Sequence, residues 1–387
     1  MREVRGIDVR QSSAAPPSEA PRLDRIQVND RRDNEAIVFR GLARAIAVAL
    51  LPACTLAIGQ MRDYRDRVGI YVWGRLAGGL ENAAADVKSL GADRVVRVAI
   101  GPSRSWDPTG QADNSPLDRK VRRADYRAFL AAFPVVMLTA YDSASLERYK
   151  SSRLDETQLA AVRDEFRRFT LELAKVSGRK IISNWEFEND CAAPQWAGCQ
   201  EYYQARLNGI LEGRKQAKAL GYPGEVLTAF EFTIVPGFQG RPSGLVEVGA
   251  RLKGVDLLSY SSWWSIAWDA DAAKVHKDFV YLAGLLRNAA VERRLTTRLV
   301  IGEFGEYWNM FPDGARMKAL VDASLDNGIE YLFNWVLYDQ PGNKDEWGRD
   351  ASHFGKYSLD RMLTPQGEAF RRWFRPAATP MAMPAAK

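Results

Sequence analysis

Two apolar runs in this chain close on carboxylates. The first is Lys180-Ile181-Ile182-Ser183-Asn184-Trp185-Glu186-Phe187-Glu188-Asn189-Asp190, the second Arg298-Leu299-Val300-Ile301-Gly302-Glu303-Phe304-Gly305-Glu306. Charge at the end of a buried strand is costly to keep. In a barrel of parallel strands, that end is also where catalytic groups stand. Two facing carboxylates, one protonated and one ionised, are what cleavage of a glycosidic bond requires. The competing reading makes both glutamates structural partners of arginines at a barrel mouth. Two such residues on separate strand ends weigh against it.

The elements that would carry these groups follow from periodicity. From residue 67 onward, short β-rich runs alternate with longer helical patterns, which predicts βα units and a parallel sheet. The runs are Arg67–Trp73, Arg94–Ile100, Pro134–Ala140, Lys180–Phe187, Glu225–Ile234, Val255–Trp263, Arg298–Phe304 and Gly328–Val336. Helical patterns between them include Asp155–Val176, Glu201–Leu220, Ala272–Ala290 and Ala315–Asp326, with a last one at Pro365–Trp373. Eight units predict an α/β fold, a single (β/α)8 TIM barrel over residues 60–376. An open doubly wound sheet is the alternative, but no Gly-rich dinucleotide loop follows the first run.

Strand alternation predicts that Leu299, Ile301, Glu303 and Gly305 share one face, and Ile182, Asn184, Glu186 and Glu188 another. With both faces inward, Glu303 would stand above layers filled by Ile301 and Leu299. Strands four and seven lie on opposite sides of such a barrel. Their carboxyls could approach to ~5 Å, the separation that suits a retaining mechanism.

On these residues the chain, from about 67 to 375, resembles the large clan of retaining TIM-barrel glycoside hydrolases that includes many cellulases, mannanases and β-glucosidases. Ile301-Gly302-Glu303-Phe304-Gly305 is similar to the clan's nucleophile segment at the end of strand seven. The resemblance implies the nucleophile role for Glu303 and an acid/base glutamate at the end of strand four. It also implies that Arg97 supports the nucleophile from strand two and that Tyr260 on strand six hydrogen-bonds it. Trp335 on strand eight would floor the sugar site. Strand four differs from the clan in carrying Trp185 directly before Glu186, with Asn184 one position earlier. Glu186 and Glu188 both remain acid/base candidates, and Glu186 is preferred because Glu188 already begins the loop. Arg97 would lower the pKa of Glu303, while burial beside Trp185 and Glu188 would raise that of Glu186.

Aromatic side chains supply platforms for sugar rings. Of the 11 Trp, Trp106, Trp196, Trp263, Trp264 and Trp308 follow strand ends, where loops should line the mouth. Core packing is the commoner fate of any one Trp, so two or three are expected to touch substrate. Glu231 on strand five and Asp142 after strand three are either substrate ligands or polar rim.

Cys191 and Cys199 bracket a short loop and are a disulfide candidate in an exported protein. Residues 1–36 form an Arg-rich, aperiodic extension expected to be disordered, or a mis-assigned start upstream of the true one. Residues 37–59 carry basic residues and then the apolar stretch Ala45–Cys54, a signal-peptide pattern too short for the ~20 residues of a membrane span. Cys54 in Leu51-Pro52-Ala53-Cys54 is a lipidation candidate, and an N-terminal helix of the domain is the alternative. The expected location is therefore outside the cytoplasm: periplasmic, secreted or lipid-anchored, with a membrane contact only through Cys54. The Pro/Ala-rich tail 377–387 is expected to be loose.

Bulk properties exclude several classes. The chain has 387 residues, 46% hydrophobic and 26% charged, an ordinary globular balance. A net charge of +6 without a compact Lys/Arg block interleaved with aromatics argues against a nucleic-acid partner. His276 and His353 stand alone, and no loop has calcium-ligand spacing, so neither metal nor organic cofactor is expected. The reading is a retaining glycoside hydrolase acting on a poly- or oligosaccharide. Its alternatives are a transglycosylase or a non-catalytic glycan-binding or polysaccharide-assembly protein on the same barrel.

Overall fold

A computed structural model describes residues 64–374, except 75, 77, 103–106, 108–112, 238–239, 264–269 and 343–351. The extension 1–36, the signal-like segment 37–59 with Cys54, Trp106, Trp264 and the tail 377–387 lie outside the described residues. The chain divides into Met1–Met61 and Arg62–Lys387, and every described residue belongs to the second unit.

Eight parallel strands close into a barrel in chain order: β1 Val68–Val72, β2 Val95–Ile100, β3 Val135–Ala140, β4 Gly178–Ser183, β5 Gly224–Phe232, β6 Leu257–Ser261, β7 Leu299–Phe304 and β8 Leu332–Asn334. β8 pairs back onto β1, so no edge remains. The TIM barrel expected from the alternating pattern is the architecture found.

Helices form the outer ring, and the sequence explains their placement. Asp155 opens the helix Glu156–Ala174 with a capping box: its carboxylate accepts from Gln158 N at 2.8 Å, and Gln158 Oε1 accepts from Asp155 N at 2.9 Å. The helix Trp196–Ala219 packs against it at close range. A Cβ on Gly209 would fall 2.1 Å from the Arg163 carbonyl oxygen, so glycine is what permits the approach. This second helix begins five residues earlier than the periodicity suggested, because the turn Ala193–Gln195 leads straight into it. Cys199 lies in its first turns and is bonded to Cys191.

The inner layer differs from the simple alternation expected. Val95, Met137, Ile181, Leu227, Leu257, Val300 and Phe333 form one buried cluster, the filling of the barrel. Ile182, Leu299 and Ile301 instead belong to the larger cluster between strands and helices. Ile182, for example, borders a small internal void together with Tyr203, Leu207 and Ile210 of the Trp196–Ala219 helix. Leu299 and Ile301 therefore face outward, not into the layers below Glu303. Glu303 still reaches the interior because the pairing slips at Gly302: Tyr260 pairs with Ile301, but the next residue, Ser261, pairs with Glu303. A bulge of this kind re-aims the side chain that follows it.

β4 also ends earlier than its apolar run, at Ser183. The Asn184 side chain takes over the pairing with β5, donating Nδ2 to the Glu231 carbonyl at 2.8 Å and accepting from Glu231 N at 2.8 Å. An amide side chain standing in for a peptide frees the main chain to turn. Glu186 then sits at the start of a short helix, Phe187–Asp190.

Candidate active site

Glu186 and Glu303 meet at the carboxyl end of the barrel, 3% and 2% exposed. The two carboxyls are close enough that a hydrogen bond from Glu186 lowers the Glu303 pKa. Ser261 Oγ donates to Glu186 Oε1, and Asn189 Nδ2 donates to Oε2. Trp263 Nε1 donates to Glu303 Oε2 at 3.1 Å, while Oε1 stands 3.7 Å from Arg97 Nη1.

Burial is the main reason both carboxyls hold protons more tightly than usual. Glu186 is pushed well above the ordinary range, first by desolvation and then by the charge of Glu303. Glu303 is pushed up to about 7: desolvation raises it, Arg97 pulls it back, and Glu231 raises it again. The expected depression of Glu303 by Arg97 is therefore outweighed. The reason is geometric as well, since Arg97 gives its shorter bonds elsewhere, to the Gly302 carbonyl at 2.7 Å and from Nη1 and Nη2 to Glu231 at 2.8 Å each. Because the pair titrates together, the first proton to leave belongs to both groups. The resulting charge settles on Glu303, beside Arg97 and the Trp263 N–H, and the remaining proton stays on Glu186.

Glu188 lies elsewhere. Its carboxylate accepts from the backbone N–H groups of Thr233 at 2.8 Å and Gly244 at 2.7 Å. It fastens the exit of β5 to the turn before the short helix Gly244–Glu247. The charges that act on Glu186 are accordingly those of Glu303 and, more weakly, Glu231, not that of the neighbouring Glu188.

Tyr260 is also placed differently from the resemblance. It shares the helix-facing layer with Leu258, and its ring lies 5.6 Å from Phe232. The side chains that β6 and its exit turn toward the carboxyls are Ser261 and Trp263.

Trp335 follows β8 and forms an aromatic floor with Trp73, at 4.8 Å between ring centres, and Trp263, at 6.4 Å. Tyr71 meets the same indole edge-on at 5.2 Å. Trp196 is held in the disulfide loop, its Nε1 donating to the Cys191 carbonyl and its ring against Phe187. Trp308 sits with Asp339, which accepts from its Nε1 at 3.2 Å, and with His353. The structure thus brings together Glu186, Glu303, Arg97, Asn184, Trp263 and Trp335. Glu188, Tyr260, Trp196 and Trp308 occupy the surroundings just described.

Several members of the site were not singled out from sequence: Thr139, Ser259, Ser261 and Trp73. Glu231 was left undecided, although one signal was available. It is a charge in the middle of the apolar run Ala229-Phe230-Glu231-Phe232, and it proves wholly buried. Asp142 is buried too and serves locally, accepting from Tyr202 Oη at 2.5 Å. Among the described residues, no group of three or more His, Cys, Asp or Glu could hold a metal ion. Nor is any helix among them long and apolar enough to cross a membrane.

No protein-family model and no curated protein matches the chain. Solved structures do match. One is an exo-β-1,4-mannosidase from Opitutaceae bacterium strain TAV5, at 16% identity and a TM-score of 0.51, covering 80% of this chain and 59% of that one. Another is a GH5_18 protein from Bifidobacterium longum subsp. longum, at 16% identity and a TM-score of 0.52, covering 80% of this chain and 78% of that one. A GH5_18 variant from the same organism, solved with Manβ1-4GlcNAc, gives the same identity and TM-score over 77% of its length. The chain spans less than two thirds of the mannosidase, and likeness at this identity is a likeness of fold. The shared fold is the (β/α)8 barrel.

Proposed function

We propose that this protein is a retaining glycoside hydrolase in which Glu186 is the acid/base and Glu303 the nucleophile. The observation that carries the reading is the buried, mutually interacting carboxyl pair beside an indole floor. In the singly ionised pair, Glu303 attacks the anomeric carbon while Glu186 gives its proton to the departing glycosidic oxygen. A covalent glycosyl ester on Glu303 results. Glu186, now a carboxylate, takes a proton from the water that opens the ester and so returns to its starting state. Trp335 would carry the apolar face of the sugar, with Trp263 holding Glu303 by its N–H.

The neighbours that carry β-mannoside names or ligands make β-mannosides the first substrates to try. Transfer to a second sugar instead of water would use the same steps. A barrel that only binds glycan is the reading to beat, because strand four departs from the clan pattern.

The test is release of sugar ends from a panel of β-mannosides and bacterial and plant glycans by the protein and by Glu303→Gln. Release that Glu303→Gln loses supports the reading, and analysis of the first-formed anomer tests retention. Binding without release across the panel would favour the glycan-binding protein. We further propose export, from the signal-like segment at 37–59 and the lipidation candidate Cys54; N-terminal sequencing of the native protein tests it, and a chain retaining Met1 would rule out cleavage.

A further inference from the structure

A charged layer lies directly beneath the carboxyl pair, and the two catalytic candidates do not account for it. Glu231 projects from β5 into the barrel, fully buried. Arg97 Nη1 and Nη2 each donate to it at 2.8 Å, and Ser259 Oγ donates to its Oε2 at 2.6 Å. Arg97 is further fixed by Thr139, whose hydroxyl accepts from Nε at 2.9 Å, and by the Tyr71 ring, 4.2 Å from the guanidinium carbon. Asn184 grips the Glu231 peptide from the other side. A Cβ on Gly302 would fall 1.7 Å from Glu231 Oε2, so the bulge before Glu303 has room only for glycine. A buried ion pair is seldom more stable than apolar side chains of the same volume. Four strands are nevertheless arranged around this one.

Resting on the reading of Glu303 as nucleophile, we propose that Glu231 is a positioning residue that fixes the Arg97 guanidinium beneath Glu303 and takes up that guanidinium's charge. The geometry favours this division. Arg97 Nη1 donates to Glu231 at 2.8 Å and to the Gly302 carbonyl at 2.7 Å, yet stands 3.7 Å from Glu303 Oε1. Arg97 therefore orients the bulge that aims Glu303 while leaving its carboxylate only weakly paired. A nucleophile tightly paired with a guanidinium would be held in the ground state, and attack would have to break that pairing.

The consequence is a measurable shift. The ionisable groups facing Glu303 are Glu186 beyond β4, Arg97 on β2, Glu231 on β5 and Tyr71 on β1. β3 contributes Thr139, β6 and its exit contribute Ser259, Ser261 and Trp263, and the exit of β8 contributes Trp335, all uncharged. Glu231 raises the pKa of Glu303 and Arg97 lowers it. Replacing Glu231 with glutamine removes the first influence and frees the second, so both changes act in one direction. Glu303 should then ionise at lower pH, by about one unit.

The experiment is an infrared pH-difference titration of the folded protein, with the Glu303 band identified by its loss in Glu303→Gln. Glu231→Gln and Glu231→Asp are compared with the unsubstituted chain, and thermal melts identify which variants fold. Aspartate keeps the charge but is one methylene too short to hold both Nη atoms, so Arg97 can close on Glu303 and the midpoint should fall by a smaller amount. It also covers the case in which the glutamine variant does not fold. A Glu303 midpoint that stays in place in a folded variant would overturn the proposal. Where turnover is measurable, the acid limb of kcat should move with the midpoint and kcat should fall several-fold, while KM holds because Glu231 is shut away from substrate. Absence of turnover on every glycan would defeat the hydrolase reading and leave the titration to decide the role of Glu231.

Discussion

Glu303 stands 3.7 Å from Arg97, but the guanidinium's 2.8 Å bonds go to Glu231. Pairing at that distance is too weak to offset burial, and Glu303 rests at about 7. The carboxyl pair is therefore expected to carry one proton near neutrality, with the negative charge on the side facing Arg97.

A pH profile follows from this. Activity should rise with pH along an acid limb near 7, as Glu303 ionises. It should fall at higher pH, where Glu186 loses the proton it must donate. Release of sugar ends measured from about pH 4 to about pH 10 checks the shape. A maximum near pH 4 to 5 would contradict the raised Glu303.

The same shift has a sign in stability. A carboxyl whose folded pKa is raised binds more protons folded than unfolded, so its contribution falls as pH rises from its unfolded value, about 4.3, towards 7. Above 7 the folded protein bears a buried charge that Arg97 and the Trp263 N–H only partly compensate. Glu303→Gln should consequently melt a few degrees higher than the unsubstituted chain at pH 8, with the difference shrinking below pH 5. Melting curves at both pH values test it, and equal midpoints at pH 8 would count against the burial argument.

Glu186 and Glu188 should separate cleanly on substitution. Glu186→Gln removes the proton donor and is expected to cost about a hundredfold or more in turnover. Glu188→Gln loses part of a carboxylate's grip on the Thr233 and Gly244 N–H groups, which should cost about 1 to 3 kcal/mol of stability with turnover preserved. Paired melts and sugar-release rates distinguish the two. The opposite pattern would move the acid/base role to Glu188.

The Cys191–Cys199 bond closes a loop that starts right after the short helix Phe187–Asp190. Its ends are tied further by Trp196, which donates to the Cys191 carbonyl, and by Asp190, which accepts from Tyr149 and Tyr203 at 2.7 Å each. Replacing both cysteines with serine should lower stability by about 2 kcal/mol. Denaturant titration with and without reductant measures it, and an identical midpoint would mean the tyrosine contacts alone hold the loop.

The barrel was legible in sequence because each strand is an apolar run of strand length and each connection has a helical period. The order and number of those runs fix a closed parallel sheet with few alternatives. Glu186 and Glu303 were legible for a similar reason, as charges at the ends of such runs. What sequence could not show was the direction in which side chains point. Strict alternation put Leu299 and Ile301 inside the barrel, and the family resemblance put Tyr260 beside Glu303. The slip at Gly302 reverses the inner and outer faces above that point, and a bulge has no signature beyond a glycine. The early end of β4 was hidden likewise, since Asn184 imitates a peptide through its side chain. Glu231 was visible as a charge in an apolar run, but its partner Arg97 lies 134 positions away in the chain.

The slip at Gly302 gives β7 a property that no single side chain has. It acts as a phase step: below it, odd-numbered residues look out at the helices, and above it they look in along the barrel axis. Two demands that one alternating pattern cannot satisfy, greasy anchors on the outside and an acid on the inside, are met by residues of the same parity. Regular pairing of these same residues, without the step, would leave the hydrophobic anchors seated and turn the acid away from the axis. A barrel could thus be intact in every layer and still have lost the group it was built to present.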